Sequence, residues 1–221
     1  IANDIAVAGS TTAAAQSVEV LGTSYALGTF APSANNLASA INAAGIAGLT
    51  ATANANVVEG EQDSSYYQYY APQGILTING VDIGLSANKT SSMTSNIATT
   101  INAINQMSAQ TGVVAQNGFS DGKGVVLTAA DGRTITVTFQ ATDVGNQTAP
   151  DYSTTAGNFG VAITGAAGQT GTIDLAYLAP TGVLTGDVTF SASTGLTQTN
   201  FDVVGELGPD TDPAPDFATV A

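Results

Sequence analysis

Only three cations, Lys89, Lys123 and Arg133, stand against 17 carboxylates in this chain, and it has neither cysteine nor histidine. That scarcity decides most of the chemistry. Serine or cysteine nucleophiles paired with an imidazole are excluded, as are disulfides and the usual zinc sites. A serine could instead use a lysine base, which needs a buried amine with a lowered pKa. Lys89 falls in a Ser/Thr-rich loop and Lys123 in a Gly-rich turn, so neither meets that need. Paired carboxylates can cleave glycosidic bonds, but the acids here fall mostly in turns and nothing sets two of them face to face. The sequence therefore names no catalytic, cofactor-binding or metal residue, and the chain is expected not to be an enzyme.

Several constellations have a binding reading with a plainer one beside it. Asp210, Asp212 and Asp216 could offer oxygens to calcium, but the glycine turn and closing glutamate of an EF-hand loop are missing. A solvated acidic linker, Pro-rich over 208–221, is the preferred reading. Asp82, Asp121 and Asp131 read as turn formers. Gly165, Gly168 and Gly171 are followed by no lysine and read as strand-end turns, not a phosphate loop. Asn88-Lys89-Thr90 and Asn146-Gln147-Thr148 match the N-glycosylation pattern, a three-residue match that is mostly coincidence. Tyr66, Tyr67, Tyr69 and Tyr70 lie beside Glu59, Glu61 and Asp63. They read either as a carbohydrate or partner patch or as a strand packed at a junction, the second being preferred.

Charge excludes further classes. With a net charge of −14 the chain lacks the basic surface that nucleic acid or an anionic membrane requires. No apolar run approaches the roughly 18 residues of a membrane span. No signal peptide opens the chain, and Ile1 in place of Met leads us to expect a fragment or a processed product. The exterior must be built from Ser, Thr, Asn, Gln and Gly, which suits display outside a cell.

The elements follow from periodicity. Leu76, Ile78, Val81 and Ile83 alternate around Asn79-Gly80, a hairpin signal. Ile97, Ile101 and Ile104 fall on one helical face, with Thr94 or Ser95 as the cap. Val126 and Thr128, then Ile135, Val137 and Phe139, alternate around Asp131-Gly132 and predict a second hairpin. A degenerate copy precedes this stretch. Val18, Val20, Tyr25 and Leu27 flank a turn at Leu21-Gly22-Thr23-Ser24. Leu37, Ala40, Ile41 and Ala44 make a helical face capped by Ser33 and ended by Gly45, and Leu49, Ala51 and Ala53 alternate into a returning strand. Asn36–Ala43 aligns with Asn96–Ala103. Further strands are expected at Ile5–Ala8, Val161–Thr164, Thr172–Leu178, Asp187–Ala192 and Phe201–Val204.

The expected class is α+β and strand-rich: two small sheet-plus-one-helix units related by an internal repeat, followed by additional antiparallel strands. The first unit is placed at 1–72, completed by strands from 158–207; the second at 73–150; returning strands at 151–207; and the linker at 208–221.

Thr77-Ile78-Asn79-Gly80-Val81, Ile101-Asn102-Ala103-Ile104, Thr111-Gly112-Val113 and Leu127-Thr128-Ala129-Ala130-Asp131-Gly132-Arg133 occur in that order. Together they resemble the flagellin IN motif, found in the outer domains of bacterial flagellins and of the filament cap protein; the Ala-Asp-Gly-Arg segment is closer to flagellins. The resemblance covers about 65 residues. It implies a structural, extracellular outer domain on the flagellar filament, serving motility, whose partners are other flagellin subunits joined through terminal helices missing from this chain. It also permits sugars on surface Ser or Thr, though no position is selected. The alternatives are the outer domains of the cap protein, or an extracellular adhesin or glycan-binding module using Tyr66–Tyr70.

Overall fold

The computed structural model describes residues 2–6, 16–61, 73–88, 91–118, 123–142, 156–163, 170–178, 187–190 and 199–200. The architecture is α+β and strand-rich, with small antiparallel sheets and short helices. The tyrosine cluster, the acidic tail, Asp121, Lys89, both glycosylation patterns as wholes, and the strand expected at Phe201–Val204 lie outside the described residues.

The chain opens with β1 (Ala2–Ala6), then a hairpin of β2 (Gln16–Val20) and β3 (Thr23–Gly28). Its turn is two residues, Leu21-Gly22, tighter than the four expected. Both carry positive φ (51° and 74°), the combination that matches the twist of the flanking strands. Helix α1 (Ala34–Ala43) begins at Ser33, whose Oγ accepts the Asn36 N–H at 3.1 Å. Beyond the helix Gly45 adopts φ 63°, and β4 (Leu49–Ala53) follows.

The next strand, β5 (Asn56–Glu59), pairs with a strand nearly seventy positions later. It therefore joins the second unit, although the sequence reading placed it in the first. The hairpin of β6 (Gln73–Ile78) and β7 (Val81–Ser86) repeats the two-residue turn at Asn79-Gly80 (φ 49° and 81°). Asp82 is not in that turn; it stands on β7, where its carboxylate accepts the Thr77 hydroxyl at 2.7 Å. Helix α2 (Met93–Gln106) is capped by Ser92, not by Thr94 or Ser95: the Ser95 N–H donates to Ser92 Oγ at 3.2 Å. Its buried face is Asn96, Ile97, Thr100 and Ile104, with Ile101 half-buried beside it. A single turn α3 (Ser108–Thr111) leads into β8 (Val114–Asn117) and β9 (Val125–Ala129).

Asp131-Gly132 does not close a hairpin. β9 pairs with β5 and β8, whereas β10 (Val137–Ala141) pairs with β6. Residues 130–136 are thus a crossover between sheets. The inward face of β9 is Val125, Leu127 and Ala129, one residue out of step with the expected Val126 and Thr128; such a shift exchanges the two faces of a strand. A 3-10 turn at Ala156–Phe159 buries Phe159 against the second unit. Of the strand expected at Val161–Thr164, the described residues 161–163 hold a single bridge, Ala162 with Glu61. β11 (Thr172–Tyr177), β12 (Asp187–Phe190) and β13 (Thr199–Asn200) complete the described chain.

The pairing falls into two sets. Sheets β1-β11-β4 and β13-β12-β2-β3 belong to the first unit, and sheets β5-β9-β8 and β10-β6-β7 to the second. β11 lies between β1 and β4 as β9 lies between β5 and β8. β2 lies between β12 and β3 as β6 lies between β10 and β7. The chain leaves the first unit after β4, runs through the whole second unit, and returns as β11. Each unit has its own core. Val18, Leu37, Ile41, Ile173 and Leu175 centre the first; Leu76, Ile78, Ile97, Ile104 and Leu127 centre the second. Burying each such side chain is worth about 1.5–3 kcal/mol, which lets each unit sustain a core of its own.

Candidate functional surface

Among the described residues, those with chemical potential do not converge. Lys123 reaches Glu59 at 2.9 Å across an exposed edge, where β5 ends and β9 begins. Arg133 forms a two-nitrogen clamp on Asp131, with Nε and Nη2 donating to Oδ2 at 2.9 and 2.7 Å. This pairing holds the Asp131 carboxyl below its ordinary pKa, the Arg133 hydrogen bond being the largest cause, and raises that of Arg133. The guanidinium lies over Gly112, at φ 71°, where any Cβ would collide with it. Among the described residues no group of three His, Cys, Asp or Glu could hold a metal ion. No described helix is long and apolar enough to cross a membrane.

The polar residues of the 75–139 stretch instead tie backbone to backbone. Asn79 is the clearest case. Its backbone supplies the positive φ of the turn. Its Oδ1 accepts the Thr136 N–H at 2.8 Å, and its amide donates to the Thr111 carbonyl at 3.0 Å. One side chain thus pins the hairpin tip to the end of α3 and to the crossover.

The last turn of each long helix carries a second device that the sequence reading missed. The Asn105 amide donates to the Ala115 carbonyl at 3.0 Å while its Oδ1 accepts the Ala115 N–H at 2.7 Å. Asn42 does the same to Ala51, at 2.8 Å in both directions. The signal was present as Ile41-Asn42 and Ile104-Asn105. Aligning Asn42 with Asn102 instead hid it, because α2 holds Ile-Asn twice, three residues apart.

A seam joins the two units where the chain crosses between them. The Thr134 hydroxyl donates to the Pro32 carbonyl of the first unit at 2.9 Å, while within the second unit the Asn56 amide donates to the Arg133 carbonyl at 3.0 Å. On the first-unit side of the seam Asn54 donates to Asp174 Oδ1 at 2.8 Å. Gly132 (φ 73°) packs so close to the Asn54 carbonyl that a Cβ would sit 2.6 Å from it.

The outer faces differ between the units. On β5-β9-β8, Val57 and Val114 both stand opposite Thr128, forming one row across three strands. They are 53% and 46% exposed, too open to be core. The corresponding face of β11 and β4 presents Thr50, Thr52 and Asp174.

No protein-family model matches the chain, and no curated protein matches it.

Proposed function

We propose that this chain is the surface-exposed outer region of a bacterial flagellin subunit, a structural piece of the filament's outer layer, and that its two units are copies of one motif. One observation carries the reading: the residues that bear the resemblance are used for architecture. Asn79 ties a turn to a crossover, Asp131 holds the Arg133 guanidinium where it lies over Gly112, and Ile104 fills the core. Side chains so committed leave an outer surface of hydroxyls and amides, suited to cladding and not to chemistry. The likeness of the two strand-pairing schemes supports the duplication. On this reading the chain works outside the cell, its partners are neighbouring flagellin subunits held by helices of the parent polypeptide, and nucleic acid and membranes are not among its ligands.

Antibodies raised against the isolated chain test this by immunogold labelling of intact cells. Labelling along whole filaments is expected. Labelling only at filament tips would move the assignment to the cap protein, and filaments left bare at both places would sink both readings.

A further inference from the structure

We propose that Asn42 and Asn105 are edge locks that keep a second copy of this chain from adding a strand to β4 or β8. Among the described residues both strands are terminal in their sheets, paired on one side only, β4 to β11 and β8 to β9. A terminal strand offers its outward N–H and C=O groups to any other chain. Proteins usually blunt such an edge with charge, proline or a bulge, or cover it with a helix or loop; here α1 and α2 pack against β4 and β8 and carry the two asparagines. Leu49-Thr50-Ala51-Thr52-Ala53 and Val114-Ala115-Gln116-Asn117 contain neither charge nor proline, and their pairings run without a register shift.

The asparagine amides take over that role. Each engages the N–H and C=O of one residue at once, as a neighbouring strand would. In an antiparallel ladder both groups of a residue point to the same side. Ala115 gives its N–H to Asn105, so its polar groups face away from β9 and toward the free edge; Ala51 is turned away from β11 in the same way.

The outward position two residues earlier is closed as well. The Val113 N–H donates to Thr111 Oγ1 at 3.1 Å, and the Leu49 N–H to the Ile46 carbonyl at 3.1 Å. Two successive outward donors are therefore occupied on each edge, by unlike partners at the first and by the same asparagine device at the second. The occupant excluded is another copy because crowded copies present the same two uncharged edges to one another. The net charge of −14 opposes their approach only weakly at a distance, since salt screens exposed charges beyond about 8 Å, and neither edge carries a charge of its own to oppose contact.

Asn105→Ala and Asn42→Ala in the full chain, with Ile101→Ala as the control, decide the matter. Ile101 is half-buried on α2 and contacts the same core, so its truncation weakens the unit without uncovering the edge. For Asn105→Ala, sedimentation velocity should show concentration-dependent self-association that the parent chain and Ile101→Ala lack. The Ala115 amide should exchange with solvent about tenfold faster in the dilute monomer. Asn42→Ala should behave alike, with the faster exchange at Ala51. Both asparagine variants staying monomeric over the range in which the parent is monomeric would overturn the proposal. So would equal association by Ile101→Ala, because loss of stability alone would then explain it.

Discussion

The strand orders of the two units are alike, β1-β11-β4 beside β5-β9-β8 and β12-β2-β3 beside β10-β6-β7, although the first adds β13 and the second adds α3, and they differ most at one link. In the second unit β8 passes to β9 through the short segment 118–124. In the first, the equivalent link opens to admit the entire second unit, so that Asn54 and Thr172 lie 118 positions apart and still share a hydrogen bond. Lengthening a loop costs little, only about 0.6 kcal/mol per doubling. A surface hairpin is therefore a tolerant place for an insertion, provided the inserted unit returns its ends side by side. Here it does: the Asn54 N–H donates to the Thr172 carbonyl at 2.9 Å, at the point of exit and return. The outer faces teach the complementary lesson. The same scheme carries Thr and Asp on one unit and a Val-Thr-Val row on the other, so the fold does not demand the exposed valines.

Core truncation is the strongest way to break the comparison. Leu37→Ala and Leu76→Ala each remove a buried leucine from the middle of a separate core and should cost about 2–5 kcal/mol. If the cores are separate, hydrogen exchange should accelerate most around α1, β4 and β11 for the first variant and around α2, β6 and β9 for the second. Uniform acceleration in both variants would mean that the units unfold as one.

Exchanging the turn residues sharpens the comparison at smaller magnitude. Leu21 and Asn79 occupy the same position of the same turn, with φ 51° and 49°. A leucine there is strained, and asparagine is not. Leu21→Asn should raise stability by about 0.5–1 kcal/mol. Asn79→Leu should lower it by roughly 2–3 kcal/mol, since the clamp on Thr111 and Thr136 is lost along with the favourable φ. Chemical denaturation of the two variants measures both, and equal and opposite shifts would show that the clamp contributes nothing.

The smallest effect concerns Asp131. Its folded pKa lies below the ordinary 3.8, chiefly through the Arg133 hydrogen bond. A depressed carboxyl contributes stability that is present above the unfolded pKa and lost as pH falls through the folded one. Both partners are substantially exposed, so the pair is worth at most about 1 kcal/mol. Asp131→Asn should therefore destabilise slightly at pH 7 and converge with the parent once the pH has fallen through the lowered folded pKa of Asp131. A gap that widens on acidification would reverse the assigned sign.

Local features were legible in the sequence wherever a residue's own chemistry settles the matter. Asn79-Gly80 announces a turn because both positions tolerate positive φ, Ser33 announces a cap, and Gly45 a left-handed stop. The spacing of Leu37, Ile41, Ile97 and Ile104 gave each helix its buried side. Composition alone removed the imidazole and thiol chemistries.

Choices between strand partners were not legible, because every alternating segment is compatible with several neighbours. Asp131-Gly132 looks like a hairpin turn in isolation. Asn79 reaches Thr136 from far away in the chain and, together with Asn56 on Arg133, holds the segment as a crossover instead. β5 follows β4 almost directly yet joins the other sheet, since Val58 is buried in the second core. The double role of Asn42 and Asn105 was likewise hidden, because a side chain can stand in for a missing strand only once the strand edge exists. The sequence determined the pieces, through backbone preference and apolar period; the tertiary structure decided which edges meet, because hydrogen bonds between distant segments have no local signature.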